Sequence, residues 1–302
     1  MTVAGDRRVL AAFVTVVVLG ATNLVLVVFT TRELDPLWNA GLRFGGAAVI
    51  TVIVARVLDL EMPRGRELAV ATLYGALAFF LSFALFYWGS QRVPAGVASV
   101  ILGSVPLLTL LLASAQRLEP FAVRGLVGAA LSIAGIAMIS AGAPAGSVAT
   151  VPLLAVVGAE LSAAQASITV RRIQRVHPVA MNAVGMSVGA ALLLLASFAA
   201  GESHIAPSAT SVRVALAFMV VTTPLLFMLF VLVVQRWSAS AGAYVFVLFP
   251  LVSVPLAIPV LDETPTAALL VGAPLVLLGV WIAVIAPARR RAAEVARDRA
   301  GG

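Results

Sequence analysis

The chain alternates long apolar runs with short polar breaks, and the breaks are marked by charged residues, Gly or Pro. A helix that crosses a hydrocarbon core of roughly 30 Å needs about 20 mostly apolar residues. The sequence divides into ten runs of that kind: Val9–Phe29, Leu37–Leu58, Leu68–Ser90, Val93–Ala115, Phe121–Gly142, Val148–Val170, Pro178–Ala200, Val212–Val234, Ala239–Leu261 and Thr266–Ala286. The runs are continuous, as in VLAAFVTVVVLG. A membrane barrel would show short segments of alternating polarity instead, so the pattern predicts helices. Arg7 and Arg8 precede the first run as they would in a signal peptide, but the run is too long and is followed by Thr30-Thr31-Arg32-Glu33 rather than by a small-residue cleavage site. It reads as a retained helix.

Composition agrees. Apolar residues make up 62% of the 302 and charged residues only 11%, against about 25% charged in soluble domains. That excludes a cytosolic globular enzyme. With no cysteine in the chain, disulfides and thiolate chemistry are absent and the redox compartment stays open. The net charge of +7 has a cause in orientation rather than in nucleic acid. With both termini inside, inner segments hold 16 arginines and outer loops only Arg32, Arg92 and Arg213. Positive residues favour the cytoplasmic side, so cytoplasmic termini and a bacterial-type inner membrane are expected.

A shift of 144 residues lays the third to fifth runs on the eighth to tenth: Gln91-Arg92 meets Gln235-Arg236, Pro106 meets Pro250, Glu119 meets Glu263, Gly128 meets Gly272 and Gly135 meets Gly279. A shift of 142 lays the first two runs on the sixth and seventh, with Asn23 on Gln165 and Pro36 on Pro178. Two halves of five spans, an odd number, enter the membrane from opposite sides. The expected fold is therefore all-α integral membrane, ten transmembrane helices as two five-helix inverted repeats (residues 9–142 and 148–286), with an arginine-rich cytoplasmic tail at 287–302. Inverted repeats are the architecture of alternating-access carriers.

The stretch from Tyr87-Trp88-Gly89-Ser90-Gln91-Arg92-Val93-Pro94 through Ser104-Val105-Pro106-Leu107-Leu108 resembles the third and fourth helices of the EamA domain of the drug/metabolite transporter superfamily. Arg117-Leu118-Glu119-Pro120, Leu42-Arg43-Phe44 and Gly20-Ala21-Thr22-Asn23 continue the likeness. The second half departs from it where Arg43 aligns with Gly185 and where the acidic turn reads Asp262-Glu263-Thr264. The resemblance covers nearly the whole chain. It implies a ten-helix inner-membrane carrier, often an exporter of amino acids, metabolites or drugs. It also implies a cavity lined by the third, fourth, eighth and ninth helices, which brings in Tyr87, Trp88 and Tyr244.

Charged groups inside hydrocarbon cost about 2.5–3.5 kcal/mol on insertion scales and usually face protein or water. Glu160 lies about 15 Å and Arg43 about 9 Å into their spans at 1.5 Å per residue. Glu160 is expected to line the central cavity and to pair with Arg43, a cationic substrate or a proton. Arg43 has the alternative of snorkelling outward. Asn23 and Gln165 are symmetry-related amides, suited to polar ligands or to interhelical glue. Phe79, Phe83, Phe86 and Tyr87, with Trp88 beside them, read as a lipid-facing or belt stripe. Pro106 and Pro250 occupy equivalent central positions where a missing helix hydrogen bond permits a hinge. Glu119 and Glu263 are helix-end residues, expected to cap or to gate.

An intramembrane hydrolase would need a nucleophile with a base, or a metal set. His177 and His204 fall on opposite sides of the expected topology, and no His-Glu-x-x-His or phosphate loop occurs. No enzyme activity, metal or cofactor is expected. Arg171-Arg172-x-x-Arg175 fits orientation and anionic lipid. A lipid or isoprenoid-carrier flippase on the same fold is the alternative. The expected partners are a small-molecule substrate, membrane lipid and, as one coupling option, protons; small residues spread over all helices leave room for a homodimer.

Overall fold

The computed structural model describes residues 3–117, 123–141, 150–170, 176–236 and 239–282. Every regular element among them is helical: α1 Val3–Thr30, α2 Pro36–Val57, α3 Arg66–Gly75, α4 Ser82–Ser90, α5 Ala95–Leu102, α6 Val105–Ala115, α7 Val123–Ala141, α8 Thr150–Val170, α9 Pro178–Ala200, α10 Thr210–Arg236, α11 Ala239–Leu261 and α12 Ala267–Val280. Seven stretches are long and apolar enough to cross a membrane: Val9–Thr30, Pro36–Val57, Arg66–Ser90, Ala95–Ala115, Thr150–Thr169, Pro178–Ala200 and Thr210–Phe230. Three shorter apolar helices, Ala130–Ile139, Val245–Leu261 and Ala267–Val280, accompany them. Among the described residues the protein is all-α, with seven stretches of membrane-crossing length and composition.

Local chemistry sets the helix ends. Pro36 and Pro178 occupy first turns, where the missing N–H costs nothing. Thr266 accepts the Leu269 N–H at the start of α12, and Gly201 ends α9 with φ +69°, a left-handed cap that glycine adopts without steric penalty. The third predicted span is one rod in which α3 and α4 are joined by a π-helical turn at Ala76–Leu81. The fourth is broken at Gly103-Ser104, with Pro106 in the first turn of α6. Its counterpart Pro250 stays inside α11 together with Pro255 and Pro259. The expected hinge is thus a break in one place and an interior proline in the other.

Helix α2 runs along α9 and α7 along α12, while α1 packs on α10 and α11, and α4 on α8. Glycines permit the closest of these approaches. A Cβ on Gly135 would stand 2.6 Å from the Gly272 carbonyl oxygen, and one on Gly279 would clash with the Gly128 carbonyl oxygen.

The third-span aromatics correct an expectation. Phe79 and Tyr87 are wholly buried and Phe86 nearly so. Phe79 fills a groove at Gly185 and Gly189, where an added Cβ would meet its side chain at 3.1 Å from Gly185 and would clash with it from Gly189, and it contacts the rings of Phe44, Tyr74 and Phe227. This stripe is core, not a lipid belt; Trp88 alone of these residues is exposed, at 44%.

Connections sort to two ends. Residues 31–35, 91–94, 201–209 and 262–266 are joined by hydrogen bonds or close approach at one end. At the other, Leu60 and Met62 pack on Val179 and Ala183, and Gln116 reaches Gln165. Glu119, the 171–175 arginine cluster and the tail at 287–302 lie outside the described residues, as does the Tyr244 side chain on α11.

Candidate functional site

Three helices bring polar groups together in the apolar interior. Arg43 lies seven residues into α2, about 10 Å from its start, and is only 2% exposed. Its Nε donates to Thr223 Oγ1 of α10 at 2.9 Å, and an Nη donates to the Tyr87 hydroxyl of α4 at 3.3 Å. The guanidinium also stands 5.1 Å from the Phe44 ring centroid and 5.5 Å from that of Phe83, within reach of cation–π attraction. Arg43 does not snorkel; aromatic walls enclose it.

Next to Thr223 on α10, Thr222 accepts from Asn23 Nδ2 at 3.1 Å, and the same amide nitrogen donates to Leu19 O. Among the described residues Asn23 Oδ1 is buried without a donor, and so is Oδ1 of Asn39, whose Nδ2 donates to Thr30 Oγ1 at 2.8 Å. Asn39 lies four residues before Arg43, on the same face of α2.

Glu160 is also buried, at 2% exposure on α8. Its neighbours fix the helix: Ser82 donates to Ala159 O and Ser162 to Leu77 O, both bridging to the third-span rod. The Glu160 carboxyl has no hydrogen-bond or ion-pair partner among the described residues. The expected Arg43–Glu160 pair is therefore not formed, because Arg43 is turned to α10 and α4. Ser167, two turns further along the Glu160 face, is exposed, roughly opposite the apolar stripe of Val151, Leu154 and Leu161. Gln165 is engaged elsewhere, accepting from Gln116 Nε2 at 2.6 Å.

Carboxylates tie the loop end. Glu263 does not cap the helix that follows it but accepts from Ala95 N at 2.7 Å and Gly96 N at 3.2 Å, binding the first turn of α5. Arg32 donates to Leu261 O just before it. Glu202 accepts from Leu37 N, Trp38 N and Ser197 Oγ. Asp35 accepts from the hydroxyl and the N–H of Ser203, and Glu33 from both groups of Ser208. These Ser208 and Ser203 donors hold both carboxyls below their ordinary values of 4.5 and 3.8.

Of the residues that intramembrane polarity singles out, Arg43 bonds Tyr87 and Thr223 of α10, and Asn23 bonds the adjacent Thr222; the two threonines were not among those expected. Thr222-Thr223-Pro224 inside an apolar run was the available signal.

The EamA-like transporter family matches residues 7–141 and again 150–285. A protein of Salmonella typhimurium named "Probable amino-acid metabolite efflux pump" is 28% identical over 93% of this chain and 96% of its own. One of Bacillus subtilis named "Uncharacterized transporter YvbV" is 27% identical over 86% of each chain. A "Probable terminal-alkyne amino-acid exporter" of Streptantibioticus cattleyicolor is 32% identical over 39% of this chain, and the match spans 43% of that relative. A solved structure named "Crystal structure of protein" superposes with a TM-score of 0.67 at 19% identity, covering 93% of this chain and 97% of that one; it speaks for the fold. The double family match, over nearly the whole chain, makes this a membrane transporter. The chain belongs to the EamA-like transporter family.

Proposed function

We propose that this protein is an inner-membrane secondary carrier that exports small metabolites, amino acids or drug-like compounds by alternating access between two inverted five-helix halves. The observation that carries the reading is the pairing of glycines between α7 and α12. The 144-residue shift relates Gly128 to Gly272 and Gly135 to Gly279. Exchanging the halves turns the contact of Gly135 with Gly272 into one of Gly279 with Gly128, and both contacts occur. Such reciprocity is what a two-fold axis in the membrane plane produces. In this reading the ten predicted spans all cross, with 9–142 and 148–286 as the halves and both termini cytoplasmic. The double family match and the exporter names of relatives support it; an Escherichia coli relative carries the name "Uncharacterized inner membrane transporter YedA".

Glu160 acts as the proton-accepting group of the cycle. It is a buried carboxyl with no protein partner among the described residues, free to take a proton or a cationic group. The test is efflux from proteoliposomes under an imposed pH gradient. Wild-type transport responds to the gradient, and Glu160→Gln abolishes that response. An unchanged rate and pH dependence in the variant contradicts the assignment.

A further inference from the structure

We propose that His204 is a pH-operated latch: protonated, it holds the 201–209 connection against the start of α2, and neutral, it lets that connection loosen. The inference concerns the loop end of the bundle and goes beyond the carrier reading, on which it does not depend.

The connection from α9 to α10 is bonded to the approach and first turn of α2. Glu202 accepts from Leu37 N and Trp38 N, and Trp38 Nε1 donates to Ile205 O at 2.9 Å. Asp35 holds Ser203, and Glu33 holds Ser208. His204 sits among these bonds. Its ring stacks on Phe198 of α9 at 4.0 Å, with the planes 28° apart, and meets Trp38 of α2 edge-on at 5.0 Å. A ring from each of the two helices thus positions the imidazole.

Ser197 sets its tautomer. A serine hydroxyl has one proton to give, and that of Ser197 goes to Glu202 Oε2 at 2.7 Å. In the 3.2 Å contact between Ser197 Oγ and His204 Nε2, the ring is therefore the donor. The other ring nitrogen, Nδ1, has no hydrogen-bond partner among the described residues, so a second proton placed there breaks no bond. It adds a positive charge that is linked through Ser197 to Glu202 and lies next in sequence to the Ser203 amide bound by Asp35. Asp35 feels that charge: the Ser203 hydroxyl and amide, and after them His204, lower its carboxyl. A cation over the Phe198 face gains further attraction.

The remaining charges at this end leave that attraction in place. Glu33 is a further carboxylate on the α2 side. Arg213 of α10 donates to Thr210 Oγ1 and acts on Glu33 after the Ser208 bonds, and Arg32 donates to Leu261 O. Histidine changes charge between about pH 5 and 8, whereas carboxylates ordinarily titrate at about 4. Because the charged ring favours the bonded form, the added hold is present at the acid side of the histidine range and is lost as pH rises through it. It is undone again only where the carboxylates themselves take up protons. On the proposed topology this end faces outward, so an acidic exterior keeps it fastened.

The test is hydrogen exchange of the full chain in lipid nanodiscs at about pH 8 and about pH 5.5, corrected for intrinsic pH effects. Protection of the Leu37, Trp38 and Ser203 amides should rise about two- to fivefold at the lower pH, the range of an exposed ion pair. His204→Gln keeps an N–H donor for Ser197 but cannot take the charge, and it should abolish the rise. His177→Gln, at the opposite end of α9, should retain it. Equal protection at both pH values in the wild type, the same rise in His204→Gln, or its loss in His177→Gln overturns the latch, and each of these leaves the carrier reading standing.

Discussion

Gly135 and Gly272 face each other so closely that a methyl group on either would lie within 2.7 Å of the other's carbonyl oxygen. Backbone contact of this kind is how membrane helices pack when hydrophobicity gives no net drive for one helix face over another. The α7–α12 seam is therefore closely packed, and the same kind of contact recurs between Gly279 and Gly128.

Alanine at Gly135 or Gly272 forces that seam apart. Overpacking costs about 1–3 kcal/mol, so each variant should lower the thermal unfolding midpoint of purified protein in detergent. Gly45 is the control, because a Cβ there meets nothing within 4 Å, and Gly45→Ala should leave the midpoint unchanged.

Phe79→Ala should destabilise more. The ring is fully buried against Gly185 and Gly189 and touches three other aromatic rings, and such truncations cost about 3–5 kcal/mol. A variant as stable as wild type in detergent denaturation would return Phe79 to the lipid surface.

Thr222→Val removes the interhelical partner of Asn23. Polar contacts of this type are worth about 0.6 kcal/mol on average, so the loss of stability should be small. The same measurement on Thr223→Val isolates the bond to Arg43 Nε and should show the larger loss, since hydrogen bonds to charged groups contribute about 1.5–3 kcal/mol.

The tether between residues 31–35 and 201–209 should depend on acid. Serine donors depress the carboxyls of Glu33 and Asp35 in the folded protein, so the folded values lie below the unfolded ones. The stabilisation is then complete above 4.5 and 3.8 and is lost as pH falls further. Hydrogen exchange at the Ser203 and Ser208 amides, corrected for intrinsic pH effects, should lose protection on acidification. In Glu33→Gln the protection at Ser208 should already be weak at neutral pH.

Most of the fold was legible because bilayer-length apolar runs leave few alternatives. Among the described residues, seven of the predicted runs contain a stretch long and apolar enough to cross a membrane and the other three contain shorter apolar helices, and intramembrane rarity alone singled out Arg43, Asn23 and Glu160. Direction of facing was not legible. Lipid and core are equally apolar, so the Phe79–Tyr87 stripe gave no sign that it was buried. The Arg43–Glu160 pairing was expected from depth along the helix axes, but lateral neighbours decide contacts, and those place Arg43 against Thr223 and Tyr87. The π-helical turn at Ala76–Leu81 and the reach of Glu263 to α5 are likewise tertiary facts.

In the proposed carrier the two ends of the bundle open in turn. A chain without cysteine lets spin labels be placed in pairs, one at positions 92 and 262 on the loop end and one at 117 and 236 on the opposite end. Electron–electron distance measurement in lipid nanodiscs then compares wild type with Glu263→Gln, which weakens the carboxylate bond to Ala95 and Gly96. Alternation predicts that the 92–262 distance lengthens in the variant while the 117–236 distance shortens. Lengthening at both ends, or a change at one end with the other unmoved, contradicts it.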